Sequence, residues 1–391
     1  MLKGEAGASP ALSRNCELAV EPHHRQQARS PAQAGMIHDL AERRWKRILP
    51  VHKPSCPRGQ DFLFHTSGAI LGSKSKTPLI HGNEMKRTIF LFCSTIFIVL
   101  SIAACSPAAK AGANPIALTD GLGRSVSLAS PAQKIVSMAP SNTEILFAIG
   151  AGTQVIGRDE FSDYPAEAAA LPSVGGSMGT YSIETIASLK PDLVLAAEIN
   201  TPEQVKALED VGLTVYYLSN PKDLNGMYVN LKTVGQLAGR ESEADALVQS
   251  LQKRVKAVED KLAPISSIFT VFYEMDGSDP AKPWTAGQDS YLSQLVKMAL
   301  GSNVGDSMKG DYVQMSQEAL LVQNPTIILL GDAAYGVTPE QVAARPGWNA
   351  LQAVKNNRIY AFDDNLVSRP GPRLVDGLEA LAKLLRPVLF N

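Results

Sequence analysis

Histidine and cysteine are missing from almost all of this chain. All six histidines and three of the four cysteines lie before Cys105, which is the last cysteine. Nucleophilic catalysis by Ser-His-Asp or Cys-His groups, His/Cys zinc sites and histidine ligation of haem iron all need these residue types. The part after Cys105 therefore excludes these chemistries. It also excludes an internal disulfide, so this part has to be held together by its apolar core.

Positive charge is also scarce. From Cys105 onward the chain has 23 lysines and arginines against 31 aspartates and glutamates, a net charge of −8. Nucleic acids and anionic membrane surfaces attract basic patches, so neither is expected to be a direct partner. This balance suits a solvated protein that works outside the cytoplasm.

One apolar run stands out near the start. Residues 85–87 (Met-Lys-Arg) precede an apolar run over residues 89–100, and small residues lead into Cys105. A basic start, a short apolar segment and a small-residue cleavage site are the three parts of an export signal, and the run is too short to span a bilayer stably. The small residues before Cys105 resemble the lipobox of bacterial lipoproteins, which implies a lipidated Cys105 and a signal peptide over residues 85–104. A buried helix or a spanning anchor is the alternative.

The segments on either side of this signal have no predicted fold. Residues 1–84 have no sustained hydrophobic period and are rich in Arg, His, Pro and Ser. Because an export signal normally begins a chain, we interpret them as a non-native extension upstream of an initiator Met85, or as a disordered one. Residues 105–115 form a Pro/Ala/Gly-rich linker.

The remainder alternates between strand and helix patterns. Residues 116–128 predict a hairpin, and a helix is expected to begin at Pro140 and to stop before Gly150 and Gly152. Short apolar runs that predict strands recur at residues 134–138, 155–157, 193–197, 215–218, 268–273, 327–330 and 359–362. Helical patterns fill most of the intervals, which is typical of parallel sheets covered on both faces.

A long helix divides this α/β pattern in two. Residues 241–262 contain no Gly or Pro and place their apolar residues on one stripe. The predicted fold is therefore α/β, with two Rossmann-like lobes and parallel sheets joined by one long rigid helix. The N-terminal lobe covers residues 116–239, the connecting helix 240–263 and the C-terminal lobe 264–391.

The two lobes share a repeated signature. Ser182 and Glu184 recur as Ser316 and Glu318, and each copy ends in a proline followed by an apolar strand. Serine can cap a short helix, and a carboxylate in the first turn is stabilised by about 0.3–1 kcal/mol. That local role is the simpler interpretation. Two equivalent carboxylates, one on each lobe, also suit a two-point contact with a partner.

Taken together, these motifs resemble the extracytoplasmic solute-binding proteins of ABC importers, in the helical-backbone group that collects cobalamin, siderophores and haem. Its cobalamin-binding branch is the most similar. Residues 116–391 carry the resemblance, through Asp-Gly-Leu-Gly-Arg at 120–124, Ile-Val-Ser at 135–137, Ala-Pro-Ser-Asn-Thr-Glu at 139–144, Phe-Ser-Asp-Tyr-Pro at 161–165, Val-Gly-Gly at 174–176, the two Ser-x-Glu segments and Val-Ser-Arg-Pro-Gly-Pro-Arg at 367–373.

The resemblance implies a corrinoid ligand held between the lobes, no intrinsic cofactor and no resident metal. A corrin is a broad, partly apolar ring fringed by amides, so its site needs flat aromatic walls and a few polar groups. The candidates on the matching loops are Phe161, Tyr181, Trp284, Tyr312 and Arg369. Phe161 stands where the branch often has a tyrosine, and Tyr312 where a tryptophan can occur.

The resemblance also implies a set of partners. The docking glutamates of the family, which meet arginines on the two permease subunits, fall on Glu184 and Glu318. We therefore expect a monomer that delivers its ligand to a permease dimer with ATPase subunits. It would be anchored to the membrane through the lipid on Cys105.

Other functions stay open at this point. A ferric-siderophore or haem protein of the same class is the nearest alternative, with Arg369 and Arg158 as candidate cations, and Tyr181, Tyr312 or Tyr335 as candidate iron ligands. A free divalent metal could use Glu160, Asp163 or Asp364. A two-lobed enzyme of chelatase or hydrolase type could use Glu274 with Asp276, or Asp363 with Asp364. We see no nucleophile elbow, phosphate loop or metal triad around these acids, so a binding protein rather than an enzyme is expected.

Overall fold

The computed structural model describes residues 115–390. The predictions for residues 1–84, the signal peptide, Cys105 and the linker lie outside them. The first described feature is the predicted hairpin, in which β1 (Ile116–Thr119) pairs antiparallel with β2 (Ser125–Leu128). Its turn is closed by the Asp120 carboxylate, which accepts hydrogen bonds from the backbone N–H groups of Leu122 and Arg124, both at 3.0 Å.

The N-terminal lobe is built on a four-stranded parallel sheet in the order β4-β3-β5-β6. Every residue of β5 and β6 is buried, as expected of parallel strands covered on both faces. The strands and helices of this lobe are β3 (Ile135–Ser137), α1 (Pro140–Ala148), β4 (Val155–Arg158), α2 (Ile183–Ser188), β5 (Leu193–Ala197), α3 (Pro202–Asp210), β6 (Val215–Leu218) and α4 (Leu224–Ala238).

The long helix has the predicted bounds. Helix α5 (Glu241–Leu262) buries one stripe that includes Ala244, Val248 and Leu251. It packs on α4 of the first lobe and on the C-terminal helix Leu374–Leu385 of the second. It therefore contacts both lobes along its length.

The C-terminal lobe has a six-stranded sheet in the order β10-β8-β7-β11-β12, with β9 also paired to β7. Strands β9, β11 and β12 run parallel to their neighbours, whereas β8 and β10 are antiparallel. The elements are β7 (Phe269–Asp276), β8 (Trp284–Ala286), α6 (Tyr291–Met298), β9 (Gly301–Asn303), β10 (Tyr312–Gln314), α7 (Gln317–Gln323), β11 (Ile327–Leu330), α8 (Pro339–Ala343), α9 (Gln352–Lys355), β12 (Ile359–Ala361), α10 (Asn365–Ser368) and α11 (Leu374–Leu385).

The two-lobed α/β fold class is thus confirmed, with one addition. The second sheet is mixed rather than purely parallel. Its two antiparallel strands are three residues each, too short to show the alternation that would have predicted them.

A single hydrophobic core runs through both lobes. It joins Ile135 and Leu195 of the first sheet, Leu251 of α5 and Leu329 of the second sheet. Two smaller clusters cover the outer faces of the two sheets. The two lobes therefore pack against each other through α5 and are not connected by the backbone alone. No helix within residues 115–390 combines the length and apolar character needed to cross a membrane.

Candidate functional site

In parallel α/β sheets, ligands bind beyond the carboxyl ends of the strands. In the first lobe these ends lead into residues 138–144 and 159–165, and in the second lobe β12 leads into residues 363–373. Hydrogen bonds join Arg369 of the second lobe to Glu144, Phe161 and Asp163 of the first, so these segments meet between the lobes. We take this junction as the candidate site.

A buried chain of polar side chains holds the loop after β4. The Thr143 hydroxyl lies 2.8 Å from that of Ser137 and 2.7 Å from that of Ser162. The Ser162 hydroxyl donates in turn to Asp159. The Asp159 carboxylate also accepts a hydrogen bond from the Phe161 backbone N–H at 2.9 Å. Burial raises the pKa of Asp159 to about 6. The loop that carries Phe161 and Asp163 is thereby fixed to the sheet.

An ion cluster ties the lobes together at this loop. The Glu144 side chain is 1% exposed and binds both Arg369 and Arg373. Arg373 Nε donates to Glu144 at 2.9 Å, and Arg369 Nη1 donates to Glu144 at 3.1 Å and to Asp163 at 2.6 Å. Arg373 also stacks on the Tyr164 ring at 4.1 Å. We call Glu144, Asp163, Arg369 and Arg373 the inter-lobe ion cluster.

Tyr181 is fixed to the end of β3. Its hydroxyl donates to the Met138 carbonyl oxygen at 3.0 Å, and the Asn200 side-chain amide donates to the same oxygen at 3.3 Å. Burial, with a smaller contribution from the Asp159 charge, raises the pKa of Tyr181 well above its ordinary value. The ring is half-buried.

The second lobe contributes aromatic residues from β8 and β10. Trp284 stands opposite Gln314, and Tyr312 opposite Ala286, with one residue pair between them on these two strands. Both rings are half-buried. Burial, with smaller contributions from nearby carboxylates that include Glu198 of the first lobe, raises the pKa of Tyr312 to about 12. The ring of Tyr312 thus lies on the side of its lobe that faces the first.

The two repeated glutamates occupy equivalent positions. Glu184 and Glu318 are exposed in the first turns of α2 and α7. The Ser182 and Ser316 hydroxyls cap these helices by accepting from backbone N–H groups at 3.1 and 3.2 Å. Hydrogen bonds from its own backbone and from Ser316 lower the pKa of Glu318. Each carboxylate therefore points to solvent from a short, well-capped helix.

The predicted ligand residues lie on both lobes, and the structure shows a direct contact for only some of them. It brings Phe161 and Arg369 together, because Arg369 Nη2 donates to the Phe161 carbonyl oxygen at 3.3 Å. It places Tyr181 on one lobe, and Trp284 and Tyr312 on the other. Glu144 and Arg373 were not predicted as site residues. Arg369 and Arg373 lie in the loop between α10 and α11, and only the fold shows that both reach one carboxylate of the other lobe.

Glu274 and Asp364, two of the acids considered for catalysis or metal binding, have structural partners. Glu274 is fully buried and is bound by the guanidinium of Arg345, with one contact at 2.9 Å. Burial raises its pKa to about 7. Asp364 accepts a hydrogen bond from Tyr273 at 2.8 Å. Within residues 115–390, no group of three or more His, Cys, Asp or Glu side chains is placed to hold a metal ion.

Known proteins with similar sequences and structures match nearly all of the described region. The sequence pattern of the periplasmic binding protein family matches residues 135–366. An uncharacterised ABC transporter substrate-binding lipoprotein of Bacillus subtilis (strain 168), YvrC, is 31% identical over 319 residues, which cover 78% of this chain and 100% of that protein.

Two solved structures share the architecture. The periplasmic vitamin B12 binding protein BtuF of Vibrio cholerae is 28% identical, with a TM-score of 0.57, and the match covers 67% of this chain and 99% of that one. The periplasmic heme-binding protein RhuT from Roseiflexus sp. RS-1, in apo form, is 25% identical, with a TM-score of 0.60, and the match covers 66% and 99%.

Proposed function

Because the chain belongs to the periplasmic binding protein family, we propose that it captures a corrinoid between its two lobes and delivers it to an ABC permease. Substrate-binding components of the vitamin B12, haem and siderophore class are its relatives. Membership of this family of solute-binding proteins confirms the expectation that the chain is not an enzyme. The residues at the junction between the lobes distinguish among the ligands of this class.

The choice of ligand depends on whether the arginines at the junction are free to bind an anion. Arg369 and Arg373 are already neutralised by Glu144 and Asp163. Arg158 donates to four backbone carbonyl oxygens, at 2.8 to 3.0 Å. The arginines that could have met an anionic ferric siderophore are therefore engaged within the protein. A corrin ring fringed by neutral amides does not require them, and the half-buried aromatic rings on both lobes suit its broad faces.

Haem is the second candidate, favoured by the fold of the haem-binding neighbour. Iron in such a site needs an axial ligand, and the described residues contain no histidine. Ligation through Tyr181 or Tyr312, the candidate tyrosines placed at the junction, would use the phenolate, but burial raises the pKa of both. Deprotonation at these positions costs free energy, which makes the corrinoid the better proposal.

Delivery would use two further features. The match to the lipoprotein YvrC covers 78% of this chain, which is more than residues 115–391 contain, so it reaches into the predicted signal and linker. This supports an extracytoplasmic protein anchored through Cys105. Glu184 and Glu318 would pair with basic residues, one on each permease subunit, in charge-assisted contacts.

Titration of the purified protein with cyanocobalamin, dicyanocobinamide, haemin and a ferric hydroxamate tests the ligand. Absorbance spectra and the melting temperature are recorded together. We expect the corrinoids to raise the melting temperature at micromolar concentration while haemin and the siderophore leave it unchanged. Inert corrinoids with a bound ferric complex would refute the ligand choice and leave the importer role standing.

A pair of substitutions at Tyr312 separates the two leading ligands. A stacked corrin uses the ring, so Tyr312→Phe should bind it normally and Tyr312→Ala should weaken binding about tenfold, the typical cost of losing an aromatic contact. Iron ligation uses the hydroxyl, so haem binding through this residue would be lost in both variants.

A further inference from the structure

A pocket of about 330 Å³ lies beside Glu184 on the N-terminal lobe. It opens between the start of α2 and the first two turns of α3. Its apolar lining includes Met138, Tyr181, Ile183 and Leu208. Glu184 is the residue after Ile183 in the same helical turn and is exposed. The predicted docking carboxylate is therefore one residue away from the lining of the pocket.

The two helix starts that form the pocket are rigidly joined. The Gln204 side-chain amide donates to the Gly179 carbonyl oxygen at 2.5 Å, which links α3 to the loop before α2. A capping box formed by Thr201 and Gln204 fixes the first turn of α3. Buried side chains of both helices pack in the same cluster on one face of the sheet. The pocket is thus a fixed feature of the lobe.

The rim of this pocket is acidic. Glu203 lines it and is exposed in the first turn of α3, where hydrogen bonds from its own backbone and from Thr201 lower its pKa. Glu184, next to the lining residue Ile183, is a second exposed carboxylate on the neighbouring helix α2. Lys206, one turn further along α3, is paired with Asp210. A long basic side chain matches this arrangement, because lysine and arginine bury an apolar stem while their charged end stays at the surface.

We propose that this pocket receives a lysine or arginine side chain of the permease. Its stem would contact Ile183, Ala207 and Leu208, and its charged end would lie at Glu203, on the side of the lobe that carries α2 and Glu184. This inference rests on the proposed function, because it assumes that Glu184 faces the permease. It adds a second carboxylate and an anchoring pocket to the docking surface of the N-terminal lobe.

Binding of the full chain to the permease and ATPase complex in nanodiscs tests the proposal, together with ligand affinity and melting temperature. Glu203→Gln removes the rim charge, and Ala207→Phe fills the pocket, in which Ala207 takes part. We expect each to weaken docking about three- to tenfold, the range of modest charge and packing contacts at an interface. Glu203→Gln should also make docking less sensitive to salt. Ligand affinity should not change.

Two variants serve as matched controls. Glu241→Gln removes an exposed carboxylate from the first turn of α5. It adjoins Arg240, whose side chain contacts Gln154 just before β4, so it lies at the opposite end of the strands from the pocket. Ala207→Ser changes the pocket residue without filling the space. Both should dock as the unmodified protein does.

The possible results separate this inference from the function beneath it. If Glu184→Lys with Glu318→Lys abolishes docking while Glu203→Gln and Ala207→Phe dock normally, the pocket has no role and the proposed function stands. If Ala207→Phe weakens ligand binding instead of docking, the pocket belongs to the ligand site and the inference is wrong. If the double charge reversal docks normally, the docking role of Glu184 fails, and this inference with it.

Discussion

Glu144 is the residue on which the contact between the lobes depends most. Its buried carboxylate is bound by two arginines that come from the other lobe. Removing one partner of a buried ion pair leaves an uncompensated charge and typically costs about 3–5 kcal/mol. We expect Glu144→Gln to lower the free energy of unfolding by about 3 kcal/mol, measured by chemical denaturation at neutral pH.

Asp163 provides the matched control for Glu144. It binds the same Arg369, but its side chain is 66% exposed. Exposed ion pairs contribute about 0–1 kcal/mol. Asp163→Asn should therefore change the free energy of unfolding by less than about 1 kcal/mol. Equal effects of the two substitutions would contradict the assignment of Glu144 as the centre of the ion cluster.

Asp159 gives the site a dependence on pH. Its pKa rises from 3.8 to about 6 on folding because the carboxyl group is buried. Between these values the folded protein holds the proton that the unfolded chain has released, so stability falls as the pH rises through this window. The loss is at most about 3 kcal/mol, at 1.36 kcal/mol for each unit of pKa.

Asparagine at position 159 cannot titrate. The difference in stability between the unmodified protein and Asp159→Asn should therefore change as the pH rises from about 4 to about 6, to the disadvantage of the unmodified protein. Other titrating groups, such as Glu274, act equally in both proteins and cancel in this difference. Melting curves across this pH range provide the measurement, and parallel curves for the two proteins would show that Asp159 does not titrate as described.

Among the helices and strands, those with a strong sequence pattern were predictable. Helix α5 has the predicted bounds because it contains no helix breaker and its apolar stripe is continuous. The buried strands β5, β6 and β11 were likewise evident as apolar runs. The pairing of Trp284 on β8 with Gln314 on β10 was not, because it depends on contacts between distant segments.

The repeat in the two lobes extends further than the Ser-x-Glu signature. Thr-Pro-Glu-Gln-Val occurs at residues 201–205 and again at 338–342. Both copies form a capping box at the start of a helix, and both valines are buried beneath it. The sequence displayed both this match and its place after the predicted strand, but only the structure shows the capping boxes and the burial of both valines.

Both Ser-x-Glu helices end at a residue with left-handed backbone conformation, directly before a proline. Lys190 has a φ of 51° and Asn324 a φ of 45°. A side chain other than that of glycine, asparagine or aspartate costs about 1–2 kcal/mol in this conformation. We expect Lys190→Gly to raise the free energy of unfolding by up to about 1 kcal/mol, since glycine loses some of this gain to its greater freedom in the unfolded chain.

Asn324→Gly is the comparison for Lys190→Gly. Asparagine already tolerates the left-handed region, so this change should bring no gain in stability. In addition, the Asn324 side chain accepts a hydrogen bond from the Gln352 backbone N–H at 2.8 Å, which glycine would lose. Thermal melts of both variants measure the two changes in stability. A destabilised Lys190→Gly would mean that the lysine side chain has a stabilising contact that outweighs its backbone strain.

The molecule as a whole holds its two lobes in a fixed relation. Helix α5 packs on α4 and α11, a common core crosses it, and the inter-lobe ion cluster bridges the far side of the junction. The apolar packing around α5 and the ion cluster both oppose hinge opening. The distance between Glu184 and Glu318, one on each lobe, is therefore nearly constant, so the pair can serve as a two-point contact with a permease dimer.

Charge reversal at Glu184 and Glu318 tests whether they form this two-point contact. A lysine placed opposite a basic partner turns attraction into repulsion, and like charges brought together at an interface cost several kcal/mol. We expect Glu184→Lys and Glu318→Lys each to reduce uptake of the ligand strongly, and the double variant to abolish it, while ligand affinity stays unchanged because both side chains are exposed. The melting temperature should fall only slightly, because each substitution removes about 0.3–1 kcal/mol of stabilisation at a helix N-terminus. Uptake assays in reconstituted vesicles at two salt concentrations supply the measurement. Normal uptake by the double variant would show that the lobes do not engage the permease through these carboxylates, whatever ligand they carry.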